Sequence, residues 1–522
     1  MVDSSQEEVQ EEILDENEKP AKPLATKGIM GFYNKHFNKT GFQLTKNERN
    51  WTLYDCGNSA VFMFFVLVGV SIGDLAHNVP FFGENPTTTM SIFNSVSGLI
   101  IAILGPVLGA IADNRGRKKS LFKFFIIMGL FGCYGALFAN ISSFFASDIA
   151  FFVIFLIFAM LILIGLGGSL LFYDSMLADV TTPARSDRVS SSGYAVGYVG
   201  SLVPFIVCLL IYYFFMDPAY SVETYGVSED TAYALLRLAI SVCIVLSGTW
   251  WLIWSRPLLK TYKQITGVDP VPHQIKDAFI KLGKTFKELK KYKAPFLFLF
   301  AFFFYVNGVN TVIALSATYA KDVLTITQPS LETSDLNIFL IVALIMTQIV
   351  AASMSIVFGK LANKTGARPL IIVCVLGYLG FVTYGVFMRT IFDFFVLAFG
   401  VGVFLGGIQA LSRSYYSKLA PIEKQTEFFG LYDIFNKSSN FLGSFIYAGI
   451  TTALIGVPGG VKLYLTDEFY LSHPQIGVAC LAVFFLVGFI LLLCIPHNSA
   501  DKDKKIKSST DDDTAEVAQI NE

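Results

Sequence analysis

Apolar residues in this chain collect into runs of about 20, broken by short polar stretches. A helix of that length crosses a hydrocarbon layer of roughly 30 Å. Twelve such runs are present, at 54–76, 90–112, 120–140, 149–173, 190–215, 233–255, 295–318, 336–359, 369–388, 392–413, 430–454 and 476–496. The first opens on a polar cluster. Trp51, Tyr54, Asp55, Asn58 and Phe62 fall at i, i+3, i+4, i+7 and i+11 and share one helix face. A carboxylate and a carboxamide there are costly against lipid, so that face is expected to meet protein or a water-filled path.

Composition narrows the class. The 522 residues are 54% hydrophobic and 15% charged, whereas soluble domains carry about a quarter charged residues. The pattern predicts an all-α membrane protein of twelve transmembrane helices, and the motif resemblance given below implies two pseudo-symmetric six-helix bundles. The net charge of −1 says little, but its distribution says more. Residues 1–50 begin with Glu7, Glu8, Glu11, Glu12, Asp15, Glu16 and Glu18, the wrong composition for a cleavable signal peptide, and read as a largely disordered tail. The seven cysteines lie in or beside apolar runs, with no metal spacing and no disulfide framework expected.

Lysine and arginine sort between alternate loops. One set holds Arg115, Arg117, Lys118 and Lys119; Arg185 and Arg188; ten residues from Arg256 to Lys293; Lys360, Lys364 and Arg368; and Arg413, Lys418 and Lys424. The other holds Lys321, Arg389 and Lys462. The bias places the first set and both termini in the cytoplasm. The expected organisation is a tail at 1–50, a six-helix bundle at 51–255, a basic loop at 256–294, a second bundle at 295–496 and a cytoplasmic tail at 497–522. Within the loop, Ile275, Phe279, Leu282, Phe286 and Leu289 repeat at helical spacing among lysines, an amphipathic helix suited to the membrane surface and read as a tether.

Between the second and third runs stands Gly109-Ala110-Ile111-Ala112-Asp113-Asn114-Arg115-Gly116-Arg117-Lys118-Lys119. This resembles the loop motif of the major facilitator superfamily, with Asn114 where the pattern has a base. Gly109 would let another helix approach, Asp113 would accept from backbone N–H groups at a helix start, Gly116 would turn the chain, and Arg117 and Lys118 would pin the loop in the cytoplasm. The phrase returns as Gly359-Lys360-Leu361-Ala362-Asn363-Lys364-Thr365-Gly366-Ala367-Arg368, which implies two duplicated halves. The Trp51–Ala60 opening, Ser192–Ser201, Tyr305–Thr311, Gly406–Ser414 and Glu427–Tyr432 resemble one branch of that superfamily. It contains the autophagy-linked vacuolar amino-acid effluxers of fungi and bacterial relatives. In the bacterial-type pattern an acid stands where this chain has Asn307, against a proton role at that position. The resemblance implies a secondary transporter working by alternating access and exporting small solutes such as neutral amino acids.

Ionisable residues inside membrane spans are rare and are functional candidates. Asp55, Asp174, Arg413 and Lys437 lie toward the cytoplasmic ends, acids on the first half and bases on the second. They are candidates for a gate of ion pairs between the halves, with Asp55 also a candidate for proton coupling; headgroup snorkelling and helix-end capping are the alternative. Asp74, beside His77, reads as a solvated helix end. Asn58, Tyr305, Asn307, Asn310, Gln348, Gln409 and Asn440 are candidates for the solute cavity, because carboxamides can hold a zwitterion without burying net charge; helix-to-helix hydrogen bonding is the alternative. Asn140-Ile141-Ser142 is a glycosylation sequon in a short outward loop.

No phosphate-binding loop, metal set or Ser/His/Asp constellation is present, so neither cofactor nor enzymatic activity is expected. The expected partners are a small-molecule solute, the lipid bilayer and possible coupling protons, with no nucleic acid. The rival readings are the same fold carrying a sugar, nucleoside, lipid or drug, and a non-transporting membrane sensor or scaffold. The tails suit a vacuolar or other internal membrane of a eukaryote, and otherwise the plasma or inner membrane.

Overall fold

The computed structural model describes residues 43–76, 78–79, 86–112, 116–145, 148–182, 185–215, 218–265, 292–329, 333–420, 428–432, 435–436, 439, 442–443, 445–447, 449–450, 463–464 and 470–496. The amphipathic stretch at 275–289, both tails, Asp113, Lys437, Asn440, His77 and the Asp74 side chain lie outside them.

The long helices are α1 Lys46–Val70, α2 Pro86–Ala112, α3 Arg117–Phe145, α4 Asp148–Ser175, α5 Ser186–Tyr213, α6 Glu229–Thr261, α7 Lys293–Thr327, α8 Thr333–Thr365, α9 Ala367–Val386, α10 Ile391–Leu419 and α11 Leu481–Leu493, the last preceded by the short helix His473–Ala479. Among the described residues, nine helices are long and apolar enough to cross a membrane. The other three expected spans fall on α1, on α2 and on helical residues between 428 and 450. Two-residue strands, Leu463–Tyr464 and Tyr470–Leu471, pair antiparallel before the last helices.

Several helices outrun the apolar stretches that predict them. α1 starts at 46 rather than 54 because Thr45 and Glu48 form a capping box, each side chain bonding the other's backbone N–H. α7 runs to Thr327, whose hydroxyl donates to Val323 O in its own helix and to Arg389 O. Apolarity ends where lipid ends, whereas backbone hydrogen bonding continues into the polar layer.

Buried apolar side chains form two clusters, one drawn from residues 51–262 and one from 294–495 joined by Tyr198. Outside them, large apolar side chains face outward in stripes. Phe124, Phe131 and Phe138 on α3 are 57%, 63% and 59% exposed. A face of that kind is stable against lipid tails and unstable in water. Small residues set the closest helix approaches. A Cβ added at Gly165 of α4 would stand 2.5 Å from the backbone of Gly129 of α3, and one at Gly200 of α5 would stand 2.2 Å from Cys56 Sγ of α1. Asn140 is buried and donates to Arg237 O at 3.3 Å and to Ser241 Oγ. The carboxamide is committed between helices, so this sequon is no glycan acceptor.

Candidate functional site

The polar face of α1 is held in place from its first turn. Glu48 is buried and accepts from Arg185 Nε at 2.8 Å and from the Thr181 hydroxyl at 2.7 Å, joining the start of α1 to the loop before α5. These bonds raise the Arg185 guanidinium above its ordinary value. One turn on, Trp51, Tyr54, Asp55 and Asn58 are all buried. Phe62, on the same face, is 49% exposed because it looks into an open cavity.

Asp55 meets α4. The Tyr173 hydroxyl donates to its Oδ2 at 2.6 Å and Asn58 Nδ2 to its Oδ1 at 3.3 Å. Trp51 stacks on the Tyr173 ring with centroids 4.4 Å apart and donates its indole N–H to Tyr173 O at 3.0 Å. Into this corner α10 sends Arg413, which is 2% exposed. Its NH1 donates to Asp174 Oδ1 at 2.9 Å, its Nε to Ser190 Oγ at 2.9 Å and its NH2 to Ser190 O at 3.3 Å. Asp55 Oδ2 lies 3.8 Å from NH2. The guanidinium carbon sits 4.7 Å from the Trp51 ring centre and 4.5 Å from that of Tyr194. A planar cation wedged against aromatic faces, with carboxylate and hydroxyl partners in reach, suits a buried site better than a lysine would.

Asp55, Asp174 and Arg413 are thus brought together, acids from the first half and base from the second. The other proposed base, Lys437, lies outside the described residues. Further contacts seal the same end. Lys418 of α10 pairs with Asp187 of α5. The Ser190 hydroxyl donates to Ala410 O at 3.0 Å, and Ser355 of α8 donates to Ser191 O at 2.9 Å. These partners were not legible one by one. Their signal was the small-residue run Ser190–Gly193, which leaves room beside α10.

A pocket of about 40 Å³ lies directly beyond Arg413, lined by Tyr194, Tyr305, Asn310, Gln409, Ser412 and Asn436 among others. Tyr305 and Ser412 share a hydroxyl hydrogen bond of 2.7 Å, Gln409 Oε1 accepts from Tyr198 at 2.7 Å, and Asn310 Nδ2 donates to Ser439 Oγ at 2.7 Å. Three of the seven cavity candidates therefore line one pocket. Gln348 lines a separate apolar cavity. Asn58 belongs to the Asp55 network. Asn307 lines neither of these two spaces, and its amide donates at 2.6 Å to Phe303 O one turn back in α7. Asn440 is not among the described residues.

The loop motif is resolved in part. Gly116 has φ +75° and Gly366, its counterpart in the second copy, φ +85°, so both chain turns use the left-handed region that glycine enters without steric cost. Arg117 is exposed. Lys118 turns inward. It is 1% exposed and donates to Asp179 Oδ2 at 2.7 Å, beside the Tyr262 hydroxyl at 2.5 Å. Burial, then the Asp179 charge, pushes the Tyr262 phenol well above its ordinary range, so it remains a donor. Among the described residues, a Cβ at Gly109 would meet Gly430 Cα, at 3.9 Å. The close approach occurs at Gly359 of the second copy, 2.5 Å from Ser191 Oγ.

Known proteins share this sequence and fold. Residues 76–456 match the family model described as Vacuole effluxer Atg22 like. A relative from Bacillus subtilis (strain 168), "Uncharacterized MFS-type transporter YxiO", is 33% identical over 463 residues, 88% of this chain and 96% of that one. Autophagy-related protein 22 of Coccidioides immitis (strain RS) is 24% identical over 339 residues, 60% of this chain and 50% of that protein; the chain spans about half the length of such fungal relatives. Among solved structures, a bacterial homologue of the iron transporter ferroportin in outward-facing state superposes with a TM-score of 0.57 at 12% identity, covering 86% of this chain and 98% of that one. The major facilitator proton:xylose symporter XylE gives 0.56 at 12% identity over 86% and 96%. The fold is that of the major facilitators, and the chain belongs to the Atg22-like family of multi-pass membrane transporters.

Proposed function

We propose that the chain is a secondary transporter that works by alternating access and exports small solutes such as neutral amino acids. The observation that carries this reading is the buried Arg413–Asp174 pair between the halves, set directly beneath a pocket lined by uncharged donors and acceptors. Carboxamides and hydroxyls at Tyr305, Asn310 and Gln409 suit the ammonium and carboxylate of a zwitterion. In this conformation the end carrying the loop motif is closed, and rocking of one six-helix half on the other opens it and carries the solute across.

Two carboxylates face one guanidinium. Asp174 holds the direct bond, and Asp55 stands farther off. Asp55, farther from Arg413 than Asp174 is, is the coupling group of this reading. Proton binding and release there couples solute flux to a pH gradient. The termini and basic loops lie in the cytoplasm, 256–294 tethers the halves, and the membrane is vacuolar or another internal one in a eukaryote and otherwise the plasma or inner membrane. The relatives that support this reading are transporters, and we assign no enzymatic role.

The test is counterflow into proteoliposomes loaded with unlabelled amino acids, with labelled leucine, tyrosine and lysine supplied separately outside. Uptake of the two neutral labels and not of lysine is expected. A protonophore should abolish net uptake from empty vesicles. Absence of uptake of every label, in vesicles holding folded protein, rejects the amino-acid assignment and leaves a transporter of another solute class.

A further inference from the structure

A second cavity, of about 160 Å³, lies at the end of the second half away from the loop motif. Its walls come mainly from α7, α8, α9 and α10, with Phe62 and Met63 of α1 and Tyr212 of α5 closing one side. On the measure by which one water needs ~10–15 Å³, it has room for roughly ten water-sized groups. The lining is aliphatic and aromatic, and no charged side chain is among its described residues.

Three polar atoms in that lining have no hydrogen-bond partner: Thr311 Oγ1, Gln348 Oε1 and the Tyr378 hydroxyl. Their residues are 1%, 7% and 1% exposed. Gln348 is half-used at best, since its Nε2 donates to Met63 Sδ at 2.8 Å and sulfur is a weak acceptor. Unpaired buried polar groups are costly; Thr311 Oγ1 packs toward Gly443, which leaves Gln348 and Tyr378 to serve this apolar space. Apolar walls with a few aimed polar groups are the usual make-up of a small-molecule site.

We propose that this cavity is a ligand site for an uncharged lipophilic alcohol or phenol. Its apolar body, of about ten heavy atoms, fills the space, and its hydroxyl donates to Gln348 Oε1 or accepts from Tyr378. A charged ligand is rejected because nothing in the wall compensates it. The site is distinct from the polar pocket, which uses Gln409, one turn along α10 from the cavity residue Leu405. Because α1 and α5 supply part of the wall, the occupant touches both halves and favours the conformation closed at the motif end. The inference stands whatever solute the protein carries.

The test uses the full chain in lipid nanodiscs and radiolabelled 2-phenylethanol in equilibrium dialysis, with empty nanodiscs subtracted. A saturable component is expected, displaced by unlabelled 2-phenylethanol but not by phenylacetate or 2-phenylethylamine. Val401→Trp and Ser316→Leu, which fill the cavity from two helices, should each weaken binding tenfold or more, and Tyr378→Phe and Gln348→Leu several-fold. Gln409→Ala should leave it unchanged. Two filling variants are used, each checked by unfolding temperature, so that misfolding of one does not decide the matter. No saturable binding above empty nanodiscs means that the cavity holds only water or lipid and overturns the proposal. So does binding that survives both folded filling variants, or displacement by either charged analogue.

Discussion

Asp174 of α4 accepts from Arg413 of α10 at 2.9 Å, although 239 residues separate them in sequence. The pair bridges the two halves of the molecule and is buried, with side-chain exposures of 12% and 2%. An isolated charge at that depth is unstable, so each partner depends on the other. Trp51, Tyr173 and Ser190 shape the contact.

Loss of Arg413 alone should be severe. Arg413→Met leaves two buried carboxylates facing each other, and breaking a buried pair costs about 3–5 kcal/mol. A clear fall in unfolding temperature is expected, with loss of counterflow. Adding Asp55→Asn and Asp174→Asn removes the stranded charges and should restore most of the thermal stability but not transport. Equal melting of the single and triple variants would contradict the account.

Asp55→Asn separates coupling from passage. The carboxamide keeps the acceptor for Tyr173 but binds no proton in this range. Exchange of solute across the vesicle should persist within a few-fold of the parent, while accumulation driven by a pH gradient should vanish. If the variant accumulates solute as the parent does, Asp55 is not the coupling group.

Lys118 and Asp179 offer a control inside the first half. Lys118→Met strands the Asp179 carboxylate and should lower the unfolding temperature sharply. Lys118→Met with Asp179→Leu should recover part of that loss, because the apolar pair avoids the desolvation cost while the buried Tyr262 hydroxyl loses its acceptor. The comparison is read by thermal unfolding of both variants.

Gly165→Ala tests the packing of α3 on α4. The added methyl would stand 2.5 Å from Gly129 backbone atoms, which cannot swing away as a side chain would. Overpacking of this kind costs typically 1–3 kcal/mol. Gly109→Ala, whose methyl meets nothing nearer than 3.9 Å among the described residues, should be tolerated. Equal loss of stability in the two would refute this reading of the helix contacts.

Most of the helices were legible because a bilayer imposes a length and an apolarity that the sequence records directly. The triad was half legible. Asp55, Asp174 and Arg413 stood out as charges within apolar runs, but nothing in the sequence said that Arg413 would reach Asp174 and Ser190 rather than lipid headgroups. Lys118 was legible as one of several basic loop residues, but its partner Asp179 lies 61 residues on and nothing in the sequence pairs the two. Asn307 looked like a cavity residue by type and depth. A carboxamide can bond its own helix as well as a solute, and the choice depends on neighbours that one chain's pattern does not name.

The central claim is that the contact of α5 with α8 and α10 at the motif end opens and closes in each cycle. Ser191→Cys with Gly359→Cys, in a Cys494→Ser background, tests it. A Cβ built at Gly359 stands 2.6 Å from Ser191 Cβ, and a disulfide asks for about 3.8 Å, so slight separation suffices. Oxidation should crosslink the two halves and stop counterflow, and reduction should restore it, with the single-cysteine variants unaffected. A crosslinked protein that still transports at the parent's rate would contradict the claim.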